Sequence, residues 1–425
     1  MSLALVLAAA AGCSDAPRAS SPSSGGAAAA SPETVSDGQS AATAATPPVE
    51  SDDATPLYDG FTIDEWRARL KNLDPAAPQT AGAVPGLIAV VRDRNVPATT
   101  RRQAAHTLGR IGRPARDAVP VLIDLLHEPG DGESSTFYWA AKGLALFGPL
   151  ARDAAPVLID VLNDESKPRT DREVALETLT YIGTAHPRVV ATLVELLQKS
   201  PSGDPEKAGE EAAFRANAAS SLGIIGATAA PAVPALSRAA YDEYESVRRN
   251  AVAALGSMGG RAELAMPTLV DVLLADESPA VRNEAARALS NVGPRAVPVL
   301  EQLLRDRDAG TRRRAAEALG NVGQGAKPAA KALSAALGDG DADVRLTAAE
   351  ALWKIDGEAE PVIPTLVGSL TDDDRQIRMR ASRQLVALGS KSRPAVEPLK
   401  ALLSDERGHV RRIAAETLKK IDDRQ

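Results

Sequence analysis

Apolar positions along the second half of the chain recur with a helical beat inside a longer period. Counting from an arginine, Ala stands at +3, Leu at +7 and an apolar residue at +10, and this pattern repeats in every unit from residue 101 onward. The Leu column is Leu108, Leu144, Leu179, Leu222, Leu255, Leu289, Leu319, Leu352, Leu385 and Leu418. Offsets of three, four and seven put these side chains on one face of a helix, and the alanines let that helix approach a neighbour closely. Ahead of each such helix, called B, runs a second apolar segment with Pro near its start, as in Val119-Pro120-Val121-Leu122. Proline is tolerated there because a first-turn NH has no partner in the helix. Two helices per roughly 33-residue unit predict an all-α fold, a right-handed α-solenoid of about ten antiparallel helix pairs.

Polar positions keep the same register. Asp stands six residues before Arg in Asp242/Arg248, Asp276/Arg282, Asp306/Arg312, Asp339/Arg345, Asp372/Arg378 and Asp405/Arg411, and the units close at Gly259, Gly293, Gly323, Asp356, Gly389 and Asp422. An Asp can accept backbone NH groups at the start of helix B while a guanidinium fork bridges to it. In the first half Phe137 takes the place of the Arg, and Ser166 and Gly209 that of the Asp. Register there is expected to rest on apolar packing, and the turns His127 to Ser135 and Gln198 to Glu210 read as long loops along one edge.

The Val-Pro-x-Leu segment, the Asp–Arg spacing and the run Arg-x-x-Ala-Ala-x-x-Leu-Gly together resemble HEAT repeats, especially the HEAT-like repeats first associated with phycobilisome lyases. The resemblance covers about residues 80 to 422 and implies a superhelix whose helix-B ridge lines the concave side. It also implies an Asp–Arg ladder between neighbouring units.

Outside the repeats, four regions are expected. Residues 1–12 read as a signal peptide: the apolar run ending Ala10-Ala11-Gly12-Cys13 resembles a bacterial lipoprotein signal, which implies cleavage before Cys13 and lipid on its sulfur. No Lys or Arg precedes the run, and Ala10 stands where Leu is commoner, so the alternatives are a misassigned start codon, an ordinary cleaved signal, or a disordered Ala-rich N-terminus that targets nothing. Residues 13–56, small and polar, have too little apolar surface to offset ordering entropy and read as a disordered tether. Residues 57–83 read as an N-terminal capping helix and linker, with Thr62 and Glu65 spaced as a capping box before Trp66. Residues 84–425 are the solenoid. No later segment has the uninterrupted apolar length of a membrane helix, so the membrane is touched only through Cys13.

The chain has a net charge of -7 and only 3% aromatic residues. The charge argues against nucleic acid as a partner, Arg312-Arg313-Arg314 notwithstanding. His106, His127, His186 and His409 fall in different units with no ligand spacing, so no metal and no cofactor is expected. Asp339 to Glu350 mimics a calcium loop, but Val344 occupies the place where its turn needs Gly. No nucleophile elbow or phosphate loop is present, and an enzyme is not expected.

The candidate site is the outward ridge of helix B, at +2, +5 and +9. It carries Trp139, Leu146, Val174, Tyr181 and Ile224 in the first half. In the second half Arg287, Arg314, Lys354, Arg380, Arg383 and Lys420 alternate with Glu284, Glu317, Glu350 and Glu416. Trp139, Leu146, Tyr181, Arg380 and Arg383 are the expected contacts to a protein or peptide partner, held by a monomeric, extracytoplasmic scaffold. Packing beside Phe137 is the competing role for Trp139 and Tyr181. A chromophore lyase or lyase subunit is the alternative function that the resemblance offers.

Overall fold

The computed structural model describes residues 56–128, 135–200 and 203–423. The signal, the tether, Cys13, part of each long turn, and Arg424 and Gln425 lie outside them. The repeats fall within one compact unit, Thr55–Gln425.

A leading helix α1 (Ile63–Asn72) precedes ten helix pairs, α2 (Val84–Arg92) with α3 (Ala98–Ile111), α4 (Val119–Leu125) with α5 (Thr136–Phe147), α6 (Ala155–Asn163) with α7 (Arg169–Ile182), and α8 (Arg188–Leu197) with α9 (Pro205–Ile225). They continue as α10 (Val233–Ala239) with α11 (Glu245–Ser257), α12 (Met266–Ala275) with α13 (Pro279–Val292), and α14 (Val297–Leu303) with α15 (Ala309–Val322). The last are α16 (Ala330–Ala336) with α17 (Ala342–Asp356), α18 (Ile363–Gly368) with α19 (Arg375–Ala387), and α20 (Val396–Ala401) with α21 (Gly408–Asp422). Among the described residues there is no strand, only an isolated bridge between Tyr58 and Phe61. Within every pair the two helices pack on each other, and each helix B packs on the helices B of adjacent units, which is the one-dimensional stacking of an α-solenoid.

The apolar columns form the core. Every Ala at +3, from Ala104 to Ala414, is fully buried, and so is the Leu column from Leu108 through Leu319. Nine of the ten helices B turn through a glycine at positive φ, eight of them at the same place in the repeat, as at Gly112 (φ 70) and Gly323 (φ 66). A side chain would be strained there. The unit of α17 is the odd one. Asp356 is still helical, and the turn is made one residue later by Gly357, at φ 68 and ψ 14.

Trp66 on α1 is fully buried, donating its indole NH to the Tyr58 carbonyl at 2.7 Å. It rests so close to Gly86 of α2 that an added Cβ would come within 2.2 Å of its ring. Thr62 and Glu65 make the reciprocal capping box.

Two readings change. The expected loop from Gln198 to Glu210 is in large part helix, since α9 starts at Pro205. By length and composition Lys207–Ala239 also resembles a membrane span, contrary to the expectation that no such stretch follows the N-terminus. It is broken at Gly226 (φ 69) and carries Arg215, 3% exposed and paired with Asp242 at 2.9 Å. Those features make it two core helices of the solenoid.

Candidate functional site: the helix-B ridge and its seams

The polar ladder sets the stagger of the units. Arg248 uses all five of its NH donors. Nε and Nη2 grip the Asp276 carboxylate of the next unit at 2.8 and 3.3 Å, Nη2 also meets Glu277 at 2.9 Å, and Nη1 donates to the carbonyls of Asp242 and Glu243 at 3.0 and 3.1 Å. Asp276 in turn accepts the Ser278 NH at 2.8 Å. Arg312 repeats the grip on Asp339 at 2.8 and 2.7 Å, and Arg345 reaches Asp372 at 3.7 Å. Each Arg thus clips its own turn and bridges forward. Arg282, Arg378 and Arg411 make the clip, onto the carbonyls of Asp276, Asp372 and Asp405. Asp306 and Asp405 hold the NH groups of Asp308 and Arg407.

The ladder also reaches into the first half, where register was expected to rest more on apolar packing. Arg215 grips Asp242 at 2.9 and 3.2 Å, and Arg101 meets Glu128 at 2.7 Å. Where Ser166 replaces the ladder Asp, Asp164 accepts the Ser166 NH at 2.9 Å. Arg172 stacks over the Phe214 ring at 4.5 Å. The mimic of a calcium loop is committed elsewhere: Arg312 holds Asp339, Asp341 caps α17 through the Val344 NH at 3.0 Å, and Glu350 pairs with Lys354 at 2.8 Å.

The ridge is narrower than one-helix geometry suggests. Val174 is 2% exposed, and Arg314, expected outside, is buried with its Nε on Asn283 Oδ1 at 2.8 Å. Burial pushes the Arg314 pKa down. Both stand at +2, which in these units is covered, so the outer ridge there is made by +5 and +9. Trp139, also at +2, is half-buried, with its ring edge-on to His106 of α3 at 5.0 Å and to Tyr138 at 5.7 Å. It lines the seam between α3 and α5. Burial, with Arg110 and Lys142 nearby, lowers the His106 pKa and favours the neutral ring.

Leu146, Tyr181 and Ile224 occupy +9 in three consecutive units, on α5, α7 and α9. The first two are half-buried and Ile224 is 59% exposed. Beside them Lys142 and Glu177 at +5 pair across the seam at 2.5 Å. In the second half Arg380 is held by Asp343 at 2.9 Å and Thr347 at 2.8 Å, whereas Arg383 is exposed and donates to the Met379 carbonyl at 3.3 Å.

How closely adjacent helices B meet is decided at +8, a column beyond the reach of the helix-face argument. Gly109, Gly223, Gly256 and Gly320 stand there, and a Cβ added to them would lie 2.7, 3.0, 3.0 and 2.9 Å from the Cα of Gly143, Ala254, Ala288 and Ala351. Those helices touch backbone to backbone. On α17 the +8 residue is Trp353, and it faces Gln384 rather than Ala or Gly. There α17 and α19 approach far less extensively than α15 and α17. A recess of about 450 Å³ opens between them, walled by Trp353, Glu350, Lys354, Arg380, Arg383 and Gln384, with Val362 and Leu366 of the α18 segment beneath. The Gly-to-Trp change in that column was a readable signal.

The family profile for HEAT repeats matches residues 266–353 and 297–387. The chain carries HEAT repeats. None of the curated proteins is similar in sequence. Among solved structures, the HEAT solenoid here is similar to that in the Kap95:Nup1 complex, with a TM-score of 0.54 and 13% identity over 88% of this chain and 55% of that one. An engineered protein matches at 25% identity and a TM-score of 0.38, over 80% of this chain and 98% of its own. Importin beta matches at 15% identity and a TM-score of 0.46. The chain spans about half the length of the importin-type chains it matches, 55% of each.

Proposed function

We propose that this HEAT solenoid is a non-enzymatic scaffold that grips a protein partner along its helix-B ridge. The observation that carries the reading is the row Leu146, Tyr181, Ile224. Three apolar side chains on successive units keep part of their surface in solvent, Leu146 and Tyr181 half-buried and Ile224 exposed, although a solenoid could bury or replace them without touching its core. Packed helices stand roughly 8–10 Å apart, and a polyproline-II segment returns the same face every third residue, about 9 Å along its axis. A partner segment in that conformation with an apolar side chain at every third residue therefore matches the row. The Kap95 solenoid in complex with Nup1 offers a precedent for such use of the fold.

A photo-crosslinking residue placed in turn at Tyr181 and Ile224 is expected to capture one common partner. Capture from Tyr181 should drop at least about tenfold when Ile224→Glu is added, as for a central apolar contact. The same residue at exposed Asp117, in the turn before α4, is the control. Equal capture from Asp117, or indifference to Ile224→Glu, would refute the ridge.

The proposal places the scaffold outside the cytoplasm, held by lipid on Cys13 and carried on the stretch 13–56. The support is the sequence pattern Ala10-Ala11-Gly12-Cys13. The intact mass of the mature protein from its native host is expected to show loss of residues 1–12 and an acylated Cys13, and Cys13→Ala is expected to release it from membranes. An unacylated N-terminus on the mature chain would remove the anchor from the proposal.

A further inference from the structure

We infer that the Trp353 recess is a docking site for an apolar side chain carried next to carboxylates in an acidic segment of a partner protein. The recess lies at the seam where the +8 place is taken by the largest side chain of its column. Gly320 and Ala351 bring α15 and α17 together so closely that a Cβ at Gly320 would lie 2.9 Å from the Ala351 Cα. One unit later the same two places hold Trp353 and Gln384. The turn that follows is also displaced by one residue, to Gly357. An indole cannot be accommodated where a hydrogen sat, so the seam parts.

What is left has the composition of a site. Ala349, Trp353, Val362, Leu366, Ala387 and Leu388 supply apolar surface, and the volume, about 450 Å³, lies in the range that takes a large side chain or a small ligand. Trp353 is half-buried, offering an aromatic wall while its edge stays accessible. Outside the lining, Lys391 Nζ sits 5.4 Å from the Trp353 ring and donates to the Gly357 carbonyl at 2.5 Å, bracing the wall.

The charges choose the occupant. Lys354, Arg380 and Arg383 line the recess against one carboxylate, Glu350, a balance of three cations to one anion, or +2. Glu350 is shared by Lys354 at 2.8 Å and Arg380 at 3.7 Å. Arg380 also spends donors on Asp343 and Thr347. Arg383 has no carboxylate partner among the described residues, and its guanidinium is exposed beside the apolar floor. An apolar side chain seated on Trp353 and flanked by Asp or Glu would fill the floor and pair with Arg383. A basic segment would meet the excess of positive charge. The partner's being a protein rests on the scaffold reading, but this site lies on α17 and α19, away from the Leu146–Tyr181–Ile224 row.

The test uses a fluorescein-labelled peptide with one Phe between pairs of Glu, and two controls, Phe→Gly and every Glu→Gln. With the full mature chain, anisotropy is expected to show saturable binding of the first peptide, with at least tenfold weaker binding of each control. In a Trp139→Phe background, binding should shift the emission of Trp353, because Trp66 is fully buried on α1 and remote in sequence. Arg383→Glu, at an exposed position, should weaken binding about tenfold or more without altering the fold. Trp353→Gly, which places here the glycine that four other helices B carry at +8, should abolish it. Absence of saturable binding, or equal binding by wild type and Arg383→Glu, overturns the inference. The crosslinking row on α5 to α9 would be untouched by that result. Its loss with peptide binding intact would instead remove the ridge row alone.

Discussion

Replacing Arg248 by Ala is expected to be among the most damaging changes at a charged position, costing about 3 kcal/mol or more, the range for breaking a buried ion pair from one side. The Arg248 side chain is 9% exposed and that of Asp276 5%. Solvent cannot replace the guanidinium, so Asp276 keeps only its Ser278 NH, and the Asp242 and Glu243 carbonyls lose a donor. Arg248→Lys should rescue little, because an ammonium cannot occupy both edges of the carboxylate and two carbonyls at once. Urea unfolding gives the magnitude, and hydrogen exchange should show the lost protection centred on α11 and α13. A loss below about 1 kcal/mol, the level of an exposed pair, would mean that the ladder follows the stacking instead of holding it. The rung from Arg312 to Asp339 adds a pH signature. The Arg312 hydrogen bond lowers the Asp339 pKa, so this rung contributes fully above the ordinary Asp value of about 3.9. Its contribution is lost as pH falls from there through the depressed folded value.

Gly109→Ala should destabilise by about 1–3 kcal/mol, the usual cost of overpacking. The new methyl would lie 2.7 Å from both the Cα and the carbonyl oxygen of Gly143 on α5, which are backbone atoms that cannot rotate away. The helix must shift, and the shift would pass to the next unit. The effect is opposite in sign to the intrinsic preference, which favours Ala over Gly inside a helix by about 1 kcal/mol. Gly209→Ala on α9 is the control, since an added Cβ there meets nothing within 4 Å. It should stabilise by up to about 1 kcal/mol. Thermal unfolding of the two variants side by side checks the contrast. If both raise the melting temperature, the backbone contact at the α3–α5 seam is not a packing constraint.

The Trp353 seam is the same argument with the opposite outcome. At Gly109 the chain keeps the contact and forbids a side chain. At Trp353 it keeps the side chain and gives up the contact, and a solenoid tolerates this because each unit answers only to its neighbours. A globular core would collapse around such a misfit or unfold.

The sequence by itself determined the helix pairs, their number and the core faces. Ala at +3 and Leu at +7 are local, periodic signals, and a helix converts spacing into a face without help from the rest of the molecule. The Asp–Arg spacing likewise announced a ladder, and Thr62 with Glu65 announced the start of α1. Tertiary structure alone decided which residues of helix B remain outside. Val174 and Arg314 point away from their own helix's core stripe, as the spacing says, but packing in the stack covers them. Trp139 is turned into a seam by His106 for the same reason, and Arg380 is occupied by Asp343 from the unit before it. The forward step of the ladder, Arg248 to Asp276 instead of within one unit, also depends on how far each pair is displaced along the stack. One helix's periodicity carries no information about the distance to the next, and that distance is set by the volume of the two side chains that meet, Gly against Gly or Ala at four of these seams and Trp353 against Gln384 at another.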